Sequence, residues 1–135
     1  MILGTGIDLT DIRRIEEALQ SSGEKFEQRI FTEAEREKAH SRAAAGIQMV
    51  AATYAKRFAA KEACIKALAT RDITWHDMEI TNDENGIPIL TLHNKAKKLL
   101  ESMTPKGHTS RIFLTMTDAY PFAQAQVIIS AEPDA

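Results

Sequence analysis

From about Gln48 to Ala69 the chain contains neither proline nor glycine, and its apolar residues return at helical intervals. Ile47, Val50, Tyr54, Phe58, Ile65 and Leu68 fall on one arc when successive residues are stepped by about 100°. A helix of that length runs about 30 Å, roughly the diameter of a small domain. Whatever fold the chain adopts must be arranged around it, and the flanking segments decide the class.

Ahead of it, Ile2 to Leu9 reads as a short apolar strand interrupted by Gly4 and Gly6. Glycine inside a strand marks a bulge or the close approach of another backbone or a ligand. Thr10 and Asp11 are both able to cap the helix in which Ile12, Ile15 and Leu19 recur, up to Gln20. A short helical piece at 25–30 follows. Thr32 and Glu35 then form a capping-box pattern that opens a polar helix to about Ala44. Behind the long helix, 77–82 and 87–92 read as strands joined by Asp83-Glu84-Asn85-Gly86. Asn94 is expected to cap a helix carrying Ala96, Leu99, Leu100 and Met103, stopped by Pro105 and Gly107. Arg111 to Thr117 alternates as a half-buried strand, Asp118 to Pro121 turns, and 123–131 returns as a last strand. Strands and helices are grouped rather than alternating. The expected class is α+β, a small mostly antiparallel sheet with one long helix and several shorter ones.

With 135 residues, 44% hydrophobic and 27% charged, the chain has the size and make-up of one globular domain spanning 1–135. A formal net charge of −2 speaks against a nucleic-acid binder. No apolar run approaches the roughly 18 residues of a membrane span, and the first residues lack the pattern of a signal peptide. A cytoplasmic location is expected, and the single cysteine, Cys64, agrees with a reducing compartment.

Three charged residues of the long helix invite a chemical reading. Glu62 falls at the edge of the apolar arc and Lys66 beyond it, an i, i+4 pair worth about 0.3 to 0.5 kcal/mol as a plain surface contact. Lys61 falls inside the arc, where a lysine must snorkel, pair with a carboxylate or meet another subunit. Asp8 follows an apolar strand beside glycines that let a ligand come close; the plainer alternative is a helix cap. Two carboxylates on rigid elements would suit Mg²⁺, which takes one or two carboxylates, several waters and substrate phosphates. The four histidines show no metal-ligand spacing, and no Walker loop or nucleophile elbow occurs.

Gly6-Ile7-Asp8-Leu9, the Phe31-Thr32-Glu33 segment with Glu35, and Arg57-Phe58-Ala59-Ala60-Lys61-Glu62-Ala63 running on to Lys66-Ala67-Leu68 together carry a resemblance. The chain resembles the short bacterial type of 4′-phosphopantetheinyl transferase, the holo-[acyl-carrier-protein] synthase family. The resemblance covers nearly the whole length, including the closing strand Ala123 to Ile129. It implies magnesium-dependent transfer of 4′-phosphopantetheine from coenzyme A to a serine of apo-acyl carrier protein, in support of fatty acid biosynthesis. It also implies a homotrimer with active sites between subunits, which would account for Lys61. By the motif match, Asp8 and Glu62 would be metal ligands, Glu62 and Lys66 catalytic, and Lys66 and Arg57 contacts to coenzyme A, at its pyrophosphate and nucleotide end respectively. Either Glu62 or a water on the cation would take the serine proton. Arg13 and Arg14 are candidates for docking the acidic carrier, with a solvated helix face as the plain alternative.

Three positions depart from the family pattern. Ala69-Thr70-Arg71 replaces the frequent Gly-Thr-Gly, Thr117-Asp118 replaces Ser-His, and Gly86-Ile87-Pro88 replaces Gly-Lys-Pro. They motivate an alternative, a catalytically inactive carrier-protein or coenzyme A binding module of the same fold.

Overall fold

The computed structural model describes residues 1–135. Its elements run β1 (Ile2–Asp11), α1 (Ile12–Ser21), α2 (Glu24–Ile30), α3 (Glu33–His40), α4 (Ile47–Leu68), β2 (Met78–Asn82), β3 (Pro88–Leu92), α5 (Asn94–Met103), β4 (His108–Ala119) and β5 (Phe122–Pro133). Short 3₁₀ turns at Ala43–Ala45 and Trp75–Asp77 lead into α4 and β2. The α+β class holds.

Two antiparallel sheets form, one of order β1-β5-β4 and one a β2-β3 hairpin. In β5 the alternation is clean: Ala123, Ala125, Val127 and Ile129 are buried, whereas Gln124 and Gln126 are exposed. The register sets Gly6 opposite Val127 and Asp8 opposite Ala125, so residues 4, 6 and 8 of β1 share the inner face. The opposite face carries Ile7, Leu9 and Phe113, all exposed.

α4 packs on that inner face and divides the interior in two. One cluster joins the C-terminal half of α4 to β5, the β2-β3 hairpin and Ala96 of α5. The other joins its N-terminal half to α1, α2 and α3, around Ile12, Phe26, Phe31 and Tyr54. Burial on α4 therefore extends beyond the expected arc. Alanines at 51, 52, 55, 59, 60, 63 and 67 are buried on several sides, while Ile47 stays exposed. Small side chains are what allow a helix to be surrounded by sheet and helices at once.

Several boundaries differ from expectation for physical reasons. α3 stops at His40 instead of near Ala44. Ala39 is its last buried residue and Ser41 to Ala45 are exposed, so no packing holds a longer helix. β4 and β5 exceed the expected strands because they pair continuously, from His108–Pro133 to Ala119–Phe122. Asn94 does not cap α5. It takes a left-handed φ of 51°, which asparagine tolerates, and its amide donates to Asp77 at 3.4 Å.

Candidate active site

The site begins with two missing side chains. A Cβ on Gly4 would lie 2.0 Å from the carbonyl oxygen of Ala67, and one on Gly6 would lie 1.8 Å from that of Ala63. The close approach foreseen from these glycines is thus made by the α4 backbone. Ala67 and Ala63 are one helical turn apart, as Gly4 and Gly6 are successive residues of one strand face, so β1 and α4 run past each other in tight register. Asp8 is the next residue on that face. It arrives beside Glu62.

Asp8 is held from both sides. Thr10 Oγ1 donates to Asp8 Oδ2 at 2.8 Å, and Lys66 Nζ lies 3.5 Å from Oδ1 while donating to the Ile7 carbonyl at 2.7 Å. Lys66 thus bridges to β1 and forms no ion pair with Glu62, contrary to the plain i, i+4 reading. The Glu62 carboxylate accepts no hydrogen bond from the chain. Burial, reinforced by the charge of Asp8, pushes its carboxyl above the ordinary range, and Lys66 and Arg71 offset part of that.

Both carboxylates line a cleft of about 600 Å³ between β1, α1, α2 and α4. Arg14 and Arg29 stand on its rim. Ile15, Phe26, Phe58 and Trp75 form its apolar wall, with the Phe58 and Trp75 rings stacked at 5.3 Å between centroids. The donor set suits Mg²⁺: two carboxylates that repel one another, with no cluster of three His, Cys, Asp or Glu side chains of the kind that encloses a transition metal. Its remaining ligands would be water and substrate phosphate.

Arg57 is elsewhere. Five residues before Glu62, it points about 140° away around α4 and lines a second cleft, of about 310 Å³, with Lys38, Arg42, Lys56 and Asn82. Its guanidinium is buried, donates to the Thr53 carbonyl at 3.2 Å and to Asn82 Oδ1 at 2.9 Å, and leaves Nε without a partner. Burial pulls it below the usual guanidinium range, Glu35 pulls it back up, and no carboxylate pairs with it. A buried cation among other cations is a demand for an anion. Asp118, which replaces the histidine of the family pattern, is paired with Lys56 at 3.1 Å.

Lys61 corrects the expectations of snorkelling and of a subunit contact. Its ammonium is fully buried within the one chain, 2.7 Å from Glu35 Oε1, and donates to the carbonyls of Ile30 at 2.8 Å and Trp75 at 3.0 Å. Glu35 also closes the capping box on the Thr32 N–H and accepts from the Ile80 N–H at 2.8 Å. One carboxylate thereby ties α3, α4 and β2 together.

The two candidate docking arginines separate as well. Arg14 faces the cleft. Arg13 forms a bidentate pair with Asp11, at 2.9 Å through Nε and 2.7 Å through Nη2, while the Asp11 side chain caps α1. Arg29, Trp75 and Asn82 belong to these sites and escaped the sequence reading; only folding of the 3₁₀ turn and hairpin brings the last two to α4.

A paired-carboxylate cleft beside a cation, with a second cationic cleft on the same helix, suits a divalent cation and a phosphate-bearing ligand. The chain belongs to the 4′-phosphopantetheinyl transferase superfamily, whose family model matches residues 4–124. It is 55% identical over 136 residues to a holo-[acyl-carrier-protein] synthase of Rhodopseudomonas palustris, covering 98% of this chain and 97% of that one. The corresponding protein of Afipia carboxidovorans is 54% identical, with 98% of each chain covered. Among solved structures, the Bacillus anthracis holo-(acyl-carrier-protein) synthase in complex with CoA (3′,5′-ADP) superposes with a TM-score of 0.73 at 33% identity, over 100% of this chain and 99% of that one.

Proposed function

We propose that this protein transfers 4′-phosphopantetheine from coenzyme A to a serine of apo-acyl carrier protein, releasing adenosine 3′,5′-bisphosphate. The observation that carries the chemistry is the meeting of Asp8, Glu62 and Lys66 enforced by the Gly4–Gly6 contact with α4. The names of the relatives supply the substrates.

The serine oxygen bonds to the phosphorus that bears pantetheine, and the bond from that phosphorus to the bridging oxygen breaks. The electron pair leaves with the 5′-phosphate of adenosine 3′,5′-bisphosphate. Asp8 and Glu62 hold Mg²⁺ in this reading, and the ion would draw negative charge from the non-bridging oxygens. Lys66, fixed by the Ile7 carbonyl, offers an ammonium to the same charge. Glu62 receives the serine proton, being the one carboxylate of the pair not hydrogen-bonded within the chain. The apolar wall of Phe58 and Trp75 accommodates the uncharged pantetheine arm.

The nucleotide end of coenzyme A goes to an Arg57 cleft. Because Arg57 and Glu62 point to different sides of one helix, a single coenzyme A reaches both kinds of site most simply across two subunits. The exposed Ile7, Leu9 and Phe113 on the outer sheet face offer a surface for such an assembly. We therefore retain the homotrimer with shared active sites. Cytoplasmic fatty acid synthesis is the setting this reading carries.

Release of adenosine 3′,5′-bisphosphate, followed by chromatography, tests the reaction. It should appear only with apo-carrier, coenzyme A and Mg²⁺ together, one equivalent per carrier modified. An equimolar mixture of the inactive Asp8→Ala and Arg57→Ala proteins, dissociated and reassembled, should regain part of the activity. Release without carrier, or no release at all, contradicts the proposal; no recovery on mixing contradicts the shared site alone.

A further inference from the structure

α4 ends at Leu68, and Ala69 closes it with a left-handed φ of 53°, its N–H returning to the Lys66 carbonyl at 3.1 Å. The following turn encloses a groove of about 250 Å³ lined by Ile65, Lys66, Ala69, Thr70 and Arg71. Lys66 connects this groove to the carboxylate cleft, since the same ammonium lies against Asp8.

Arg71 is exposed, and its guanidinium makes no hydrogen bond or ion pair in the chain. Its polar neighbours are engaged otherwise. Asp72 pairs with Lys95 at 3.4 Å, and Thr70 Oγ1 accepts from the Asp72 N–H at 3.1 Å. Arg71 lines the same groove as Lys66, whose ammonium reaches Asp8, so it stands one side chain away from the carboxylate cleft. The end of a helix is an unfavourable place for an anion, because its free carbonyls carry the negative pole. An anionic group lodged beside the last turn of α4 needs compensating cations there. Lys66 is one. It is already shared with Asp8 and Ile7, which leaves the groove side of an anionic group open to a second donor.

We propose that Arg71 is a second cation for the pyrophosphate of coenzyme A, beside Lys66 in the same groove. This rests on the transfer reaction proposed above and adds a specificity residue to it. A planar guanidinium with free donors suits two phosphate oxygens at once. The group it neutralises includes the oxygen that becomes the terminal 5′-phosphate when the pyrophosphate breaks, so it contacts coenzyme A in the ground state and the leaving group during transfer.

Arg71→Ala and Arg71→Lys proteins test this, with steady-state kinetics in each substrate and calorimetric titration of coenzyme A. The expected result is a rise of about tenfold in both the KM and the Kd for coenzyme A in Arg71→Ala, the worth of one charge-assisted contact. The carrier KM should stay within twofold, Arg71→Lys should recover only part of the loss because it keeps the charge without the fork, and the melting temperature should not move. Unchanged coenzyme A parameters in Arg71→Ala, beside an active wild type, overturn the role of Arg71 and leave the transfer reaction standing. A folded wild type that neither binds coenzyme A nor modifies carrier overturns both.

Discussion

Gly6 and Ala63 meet backbone to backbone: a Cβ on the glycine would lie 1.8 Å from the alanine carbonyl oxygen. The atom in the way belongs to a helix backbone and cannot rotate aside. Asp8, two residues on along the same strand face, inherits its distance from Glu62 through this contact.

Gly6→Ala should therefore damage the site more than the fold. We expect a loss of about 3 kcal/mol in stability, at the upper end for overpacking, and loss of nearly all transfer activity in protein that still folds. Urea unfolding and turnover measured on the same sample check this. Full activity would mean that the glycine contact does not set the carboxylate spacing.

The Lys61–Glu35 pair makes a second expectation quantitative. Lys61→Met leaves the buried Glu35 carboxylate without its cation, which should cost about 3 to 5 kcal/mol. Adding Glu35→Gln removes that stranded charge and keeps one carbonyl oxygen, enough to accept from either the Ile80 or the Thr32 N–H but not both. The double variant should be more stable than Lys61→Met alone in denaturant melts. Equal or lower stability of the double variant would deny that the pair acts as a unit.

Arg13 and Arg14 should differ in carrier recognition although they are neighbours. Arg13 is neutralised by Asp11, whereas Arg14 faces the cleft without a carboxylate partner. Arg14→Ala should raise the carrier KM about fivefold, equivalent to about 1 kcal/mol for a rim charge, and Arg13→Ala by less than twofold. Kinetics at saturating coenzyme A make the comparison.

How much of this was legible in the sequence depended on the range of the contact. The capping box of Thr32 and Glu35, the β2-β3 turn and the alternation in β4 are local, and they read correctly. Asp8, Glu62 and Lys66, which the structure brings together, are legible as charged residues on two rigid elements and through the motif, and Lys61 through a charge set in an apolar arc. Its partner was not found, since Glu35 already had a local role and nothing local announces a second one. The division of Arg57 from Glu62 was implicit in the helical step, but the cationic cleft needs Lys38, Arg42 and Asn82, gathered from three other parts of the chain. Alanine burial on α4 hid for the same reason: a small residue signals close packing only when its neighbours are known.

Cys64 provides a test of the core by pH and reactivity. Burial pushes its thiol up to about 12 from an ordinary 9.0. The contribution of this group to stability is complete below pH 9 and lost between about pH 9 and 12, as the unfolded thiol ionises and the folded one does not. At pH 8 a thiol reagent should label the native protein only as fast as it unfolds. Prompt labelling in native buffer would show that the helix–sheet contact around Cys64 opens readily.

The most direct measurement is the intact mass of apo-acyl carrier protein after incubation with this protein, coenzyme A and Mg²⁺, beside reactions containing a chelator, Asp8→Ala or Glu62→Ala. The account predicts a gain of one phosphopantetheine group on the carrier serine that disappears in all three controls. A folded wild-type protein that binds coenzyme A or carrier yet leaves the mass unchanged would contradict it, and would identify the chain as a binding module on a transferase fold.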